Sequence, residues 1–485
     1  MSPLPPGPLA PTARRYKVLA LAALALATFN LTFRLDRETV HVWDESLYAT
    51  SAFEMLESGQ LAVTTFQGAV DYANSKPPLN TWLIAGSFRL FGVNLVAMRL
   101  PAVLAAWLTV LVVYVWTRRH LGNAVAALAV LVLGTTYGFL YVHSGRTANS
   151  DAHLTLLVTL AFVVLASART RAWHTVALGP IAAGVFMLKG PAALAFIAPF
   201  VVAHGVELRR AGTPLISRAR PWALAAVLFS LPIGAWAYAR WQFDGWLFFM
   251  QMLGYDALGR GLTAVEGHGG SPLYYLDVLQ RYQYEWLVAA ATAALLAPRA
   301  MPGLYRACVA RHLPMSLVLG WVVGCFLVPT IVATKLAWYI APVYPLFAMV
   351  VAAVVHAAWQ ALAAQGDTTR ARVLVAVVAL AVLSAESKMA WTSFTKLDLD
   401  RSAQGLLIGH AELIRGRRVF AQTCPRPEWF LARAAGARCL VARDIELYLA
   451  VSDPKDLWLD APGNVNPALT AVVGNRRAAL YARRN

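Results

Sequence analysis

Apolar runs separated by short basic loops dominate the chain. Val18–Phe33, Leu100–Trp116, Ala124–Val142, Ala152–Ala168, Val176–Leu188, Ala192–Val206, Trp222–Ala239, Trp286–Ala297, Leu313–Val332, Trp338–Ala358 and Val373–Ala385 carry few or no charges. Helices of this kind cross a hydrocarbon core about 30 Å thick, so the pattern predicts about 11 spans, or up to about 13 if ambiguous segments are split. Pro78–Phe91 is shorter and carries Arg89, which leaves it either re-entrant or a span. The alternating segments of a membrane β-barrel do not occur. Two regions break the rhythm. Val42–Leu83 is polar with an amphipathic run, which predicts juxtamembrane helices. The stretch from Ser387 contains short β-rich pieces, Arg418–Gln422, Leu440–Arg443, Ala471–Val473 and Ala478–Ala482, set off by Pro and Gly. That stretch reads as a small α/β domain.

Composition agrees. Of 485 residues, 59% are hydrophobic and 14% charged, where a soluble domain has about a quarter charged. The net charge of +17 would suit a nucleic-acid partner, but the basic residues lie in short loops: Arg118-Arg119, Arg169 and Arg171, Arg209-Arg210, Arg218 and Arg220, and Arg299, Arg306 and Arg311. That is the positive-inside pattern, so the partners are membrane lipids and no nucleic acid is implied. It gives a cytoplasmic tail over residues 1–17 and a transmembrane domain over 18–386. The loops 34–80 and 241–284, and the domain 387–485, lie outside. With Arg14, Arg15 and Lys17 before it, the first run reads as an uncleaved helix rather than a signal peptide. Cys424 and Cys439, in the outer domain, are either bridged or free.

With orientation set by arginines, a second group of ionisable residues collects on the outer side: Asp44, Glu45, Lys76, Arg146, Asp151, Lys189, Arg260, Glu266, His268 and Lys335. Ionisable groups at membrane depth usually mark a functional site. Cations on this side suit a phosphate, which lysine and arginine hold by charge-assisted hydrogen bonds. A neighbouring carboxylate can act as a general base. Rival readings stand beside these. Asp44 reads equally as a helix N-cap, Glu45 as dipole compensation, and Lys76 before Pro77-Pro78 as an interfacial anchor. Arg146 and Asp151 could pair with each other. His268 in GHGGSP reads as a solvated loop histidine, and Tyr274, Tyr275, Trp286 and Trp338 as an interfacial aromatic belt. No P-loop, dinucleotide fingerprint, HExxH or CxxC is found.

DESLYATSAFEMLESGQ, NSKPPLNTWLIAGSFRLFGVNLVAMRLPA, GRTANSD, FMLKGPAAL, GHGGSPLYYL and TKLAWYIAPVYP occur in that order. Together they resemble the GT-C glycosyltransferases, in the branch of aminoarabinose lipid A transferase and the protein O-mannosyltransferases. The resemblance implies a bacterial inner-membrane enzyme, monomeric, with a periplasm-facing active site. It would take a sugar from a polyprenyl-phosphate donor and pass it, with inversion, to lipid A or another envelope glycan. Catalytic carboxylates would be Asp44, Glu45 and Asp151, with Asp44 as base. Lys76, Arg146, Lys189, Lys335 and Tyr339 would hold the donor phosphate, and Arg260, His268 and Tyr275 are acceptor or loop candidates. Two departures stand out. Leu47 replaces the arginine of the D-E-x-R-Y motif. Ser75 replaces a glutamate that the aminoarabinose branch associates with a metal site alongside a histidine matching His268. That second change puts a divalent metal in doubt. The alternatives are a protein O-mannosyltransferase and, from another class, a lipid-linked sugar flippase or transporter. A transporter needs charges near mid-bilayer with access from both sides, whereas here they sit in outer loops.

Overall fold

The computed structural model describes residues 10–463 and 466–484. The chain is a polytopic helical membrane protein with a small sheet domain at its carboxy end. Helix α1 (Ala10–Thr32) begins inside the stretch expected as a tail, and residues 1–9 lie outside the described residues. Among the described residues, six helices are long and apolar enough to cross a membrane: Leu95–Leu121, Asp151–Ala168, Pro191–Arg210, Ile216–Asp244, Ala337–Ala364 and Thr368–Lys396. A seventh is counted if Tyr274–Leu296 and Ala300–Ala310, bent by 102°, form one span. The expected apolar runs are all helical, but several helices are short. Asn123–Gly134 has 12 residues, which at 1.5 Å per residue is about 18 Å, short of a 30 Å core.

The chain divides into two compact units. The larger holds the residues up to Phe33, Ser75–Asn80 and Ala102–Met389. Its helices approach closely where small residues meet. A Cβ on Gly134 would stand 2.6 Å from Ala27 Cβ, and one on Gly179 would stand 2.3 Å from the Ala225 carbonyl. In lipid, such small-residue seams replace the hydrophobic effect as the source of helix–helix attraction. Asn30 locks the first seam, donating to the Gly134 carbonyl at 2.9 Å and to Glu386 at 2.8 Å.

The smaller unit holds Arg34–Asn74, Thr81–Pro101 and Ala390 onward. The segment Arg34–Asn74, expected as a loop outside the membrane, therefore folds with the carboxy-terminal segment. Helix α2 (Asp44–Ser58) is followed by the hairpin β1 (Thr65–Phe66) and β2 (Ala69–Val70). Its turn residues Gln67 and Gly68 both have positive φ, as a two-residue type I′ turn requires. Glu54 accepts from both turn amides, at 2.6 and 3.3 Å. Helix α3 (Leu79–Phe91) settles the Pro78–Phe91 segment: it is 13 residues long and stacks Phe88 on Phe430, ring centroids 5.9 Å apart.

The sheet has order β4-β3-β5-β7-β6. Strands β3 (Arg418–Ala421), β4 (Arg438–Val441) and β5 (Leu457–Asp460) are parallel, while β6 (Leu469–Gly474) and β7 (Ala479–Arg483) join antiparallel. Phe420, Tyr448, Trp458 and Tyr481 form its core. The Arg426–Ala434 helix, between β3 and β4, packs on the 34–74 segment. Arg426 makes a two-pronged pair with Asp71 at 2.7 and 3.0 Å, Arg433 pairs with Glu57 at 2.7 Å, and Trp429 and Phe430 meet Phe66 and Phe53 edge-on. Cys424 and Cys439 are bridged, their Cα atoms 6.2 Å apart.

Candidate active site

In the smaller unit, Asp44 is the first residue of α2 and half-buried; the N-cap is Trp43, so Asp44 is not the capping side chain. Glu45 is fully buried. It pairs with Arg99 (Nε to Oε1 2.9 Å, Nη2 to Oε2 3.3 Å) and accepts the His41 amide at 2.9 Å. Burial alone would raise its carboxyl, but the Arg99 charge, His41 and these hydrogen bonds outweigh it and hold the group at about 2. Arg99 also donates to the carbonyls of Leu35, Glu38 and Thr39, at 2.7, 3.0 and 2.8 Å. Glu45 thus fixes the guanidinium that gathers the 35–39 backbone in front of α2. The sequence reading did not pick out Arg99, although an arginine in VAMRLPA, at the edge of an apolar run, is a signal for a buried pair.

In the larger unit, chain segments far apart in sequence converge on Tyr339. Lys189, the last residue of the Leu178–Lys189 helix, pairs with Asp151 at 2.7 Å, and its Nζ lies 5.9 Å from the Tyr339 ring centroid. Asp151, 1% exposed, opens the Asp151–Ala168 helix, where a carboxylate suits the positive end of the dipole. Arg260 lies against the Tyr339 side chain, and the charge of Lys76 also reaches Tyr339. Burial would lower the Arg260 guanidinium, but Tyr339, Asp256 and Glu266 together raise it above its ordinary value. Asp256 accepts from Arg260 Nε at 3.1 Å and from the Ser75 hydroxyl. Lys76, Asp151, Lys189, Arg260 and Tyr339 are therefore neighbours. Asp256, absent from the sequence reading, links the Lys76 turn to Arg260. Its only signal was a carboxylate in a long outer loop.

Other expected residues lie elsewhere. Arg146 is fully buried and donates to the carbonyls of Phe33, at 2.6 Å, and Asn30. It satisfies orphan carbonyls at the end of α1, where a cation also complements the helix dipole. Lys335, 6% exposed, does the same for Val328–Ile331: its ammonium donates to the carbonyls of Pro329 (3.2 Å), Thr330 (2.5 Å) and Val332. Tyr275, expected at the loop, is 1% exposed and packs with Val278 and Ile340 beneath Lys335. Its contacts are those of a core side chain. His268 is exposed, with Glu266 at 3.9 Å. The metal suggested by the resemblance does not fit here: Ser75 bonds Asp256, and no group of three or more metal-type ligands occurs among the described residues.

Over 98% of both chains the fold matches the crystal structure of ArnT from Cupriavidus metallidurans bound to undecaprenyl phosphate, with TM-score 0.69 and 18% identity. The archaeal oligosaccharyltransferase AglB of Archaeoglobus fulgidus matches at TM-score 0.54 and 12% identity, over 92% of this chain and 69% of that one. The chain therefore shares the fold of these two proteins. Residues 75–238 match the family described as dolichyl-phosphate-mannose-protein mannosyltransferase. A Pseudomonas fluorescens undecaprenyl phosphate-alpha-4-amino-4-deoxy-L-arabinose arabinosyl transferase is 30% identical over 277 residues, 55% of this chain and 48% of the relative. An Aquifex aeolicus protein is 26% identical over 353 residues, 70% of this chain and 63% of the relative. The alignments thus span about half to under two thirds of these curated relatives.

Proposed function

We propose that this protein is a glycosyltransferase that moves a monosaccharide from a polyprenyl-phosphate donor to a lipid or glycan acceptor of the cell envelope. It works from the periplasmic face of a bacterial inner membrane. The observation that carries the proposal is the convergence of Lys76, Lys189 and Arg260 on Tyr339, with Asp151 and Asp256 holding two of the cations in place. Such a cluster suits a phosphoryl group whose negative charge grows as the sugar departs. Stabilising charge that develops in the transition state is commonly the largest catalytic term. The bond between the anomeric carbon and the phosphate oxygen breaks while the acceptor oxygen attacks from the opposite face, giving inversion. The acceptor proton passes to the carboxylate of Asp44, a role that rests on the sequence resemblance. The arabinosyl transferase relatives support an undecaprenyl-phosphate-linked donor, and the lipid A-type acceptor rests on the sequence resemblance. The match of residues 75–238 supports a second reading, transfer to a protein hydroxyl.

The test is to incubate the purified chain with a panel of undecaprenyl-phosphate and dolichyl-phosphate sugars, adding lipid A or a Ser/Thr-rich peptide. Consumption of one donor, dependent on one acceptor class, is expected. Failure to consume any donor with either acceptor would remove the proposal.

A further inference from the structure

On the side of the larger unit that carries the basic loops, the chain turns by 102° between the Tyr274–Leu296 and Ala300–Ala310 helices. The second helix exposes Tyr305 and Val309 while Arg299, Arg306 and Arg311 stand along and beside it. Arginines interleaved with exposed apolar side chains mark a helix that lies in the headgroup plane of a bilayer. Beneath it is a groove of about 330 Å³ lined by Leu121, Leu304, Cys308, Arg311, His356 and Gln360 among others. Arg311 donates to the His120 carbonyl at 3.2 Å, which ties its guanidinium to the end of α4 (Leu95–Leu121). No carboxylate lines this groove. None occurs anywhere in residues 118–126, 299–316 or 353–366, the three stretches that build it. Gly303 also borders the groove, and a Cβ there would meet nothing within 4 Å.

We propose that this groove binds the phosphate headgroup of an anionic phospholipid from the leaflet that the basic loops face. Charge complementarity argues for that occupant. The groove offers an arginine, a histidine and an amide as donors, with no carboxylate among its lining residues. Basic pockets between helices on the cytoplasmic side are the usual receptors for anionic lipid headgroups. Leu121 and Leu304 supply an apolar wall for the first acyl carbons. The position is separate from the Tyr339 cluster, whose residues do not line the groove.

Cys308 provides the reporter. It is half-buried in the groove wall, whereas Cys325 is buried and Cys424 and Cys439 are bridged. The full chain in detergent is mixed with phosphatidylglycerol or with phosphatidylcholine of the same acyl chains, and maleimide labelling of Cys308 is followed. Phosphatidylglycerol is expected to slow labelling several-fold while phosphatidylcholine leaves it unchanged. Arg311→Gln should abolish that protection. Gly303→Leu should fill the groove and abolish retention of phosphatidylglycerol in native mass spectrometry, with thermal stability kept. Equal protection by the two lipids would overturn the proposal, as would full phosphatidylglycerol retention by a folded Gly303→Leu variant.

Discussion

Replacing Glu45 by Gln tests how the smaller unit holds the front of α2. The carboxyl sits at about 2 in the folded protein against 4.5 for the free group. A difference of about 2.5 units, at 1.36 kcal/mol each, makes the ionised form worth about 3 kcal/mol of folding stability. An independent route agrees, because removing one partner of a buried pair costs about 3–5 kcal/mol. The sign follows from the direction of the shift. The contribution is complete above pH about 4.5 and is lost as pH falls through that value toward about 2. Hydrogen exchange over residues 34–58 in detergent-purified protein reads the opening of this unit directly. The wild type should be more protected than Glu45→Gln by about 3 kcal/mol at pH 7, and the gap should shrink to roughly half by pH 3 and close only as pH approaches 2. Arg99→Met should cost more than Glu45→Gln, since it also strips donors from the carbonyls of Leu35, Glu38 and Thr39. A gap independent of pH, or none at pH 7, would refute the reasoning.

Three further outcomes are expected. Asp44→Asn should fold and bind donor with wild-type affinity yet lose turnover in a single-turnover assay; full activity would remove Asp44 from the chemistry. Lys335→Met should lower thermal stability, since three backbone carbonyls lose their donor, while donor affinity stays unchanged; a large affinity loss at full stability would restore the phosphate role. Replacing Cys424 and Cys439 by Ser opens a loop of 15 residues, which should cost about 3 kcal/mol in the chain-entropy picture. Faster proteolysis of the carboxy-terminal segment would report it.

Most of the architecture was legible because hydrophobic runs and arginine loops are local signals. Each expected run is helical, and four of the five strands of the carboxy-terminal sheet fall on pieces picked out as alternating or β-rich. Leu457–Asp460 was not, since a strand buried between two neighbours carries no alternation. Helix lengths escaped because an apolar run continues through a break that only packing imposes, as between Asn123–Gly134 and the short helix that follows. The grouping of the first outer loop with the carboxy-terminal domain rests on Arg426, Arg433 and Phe430 meeting residues more than 300 positions away. Nothing local announces such pairs.

The site divides the same way. Lys76, Asp151, Lys189 and Arg260 could be gathered from the side that arginine placement assigns to their loops, and Tyr339 from the family resemblance. Arg146 and Lys335 met the same criterion, yet they satisfy helix-end carbonyls: such a cation and one proposed to hold a phosphate look alike in a sequence. Ser75 was visible as a departure, but its hydroxyl's partner, Asp256, emerged only from the folded chain.

The most direct measurement is the affinity of the purified protein for undecaprenyl phosphate, with Lys76→Ala and Lys189→Ala beside the wild type. Loss of a charged hydrogen bond worth about 1.5–3 kcal/mol predicts affinity reduced about 10- to 100-fold in each variant, with folding retained. Wild-type affinity in both would show that the cations around Tyr339 do not hold a lipid phosphate.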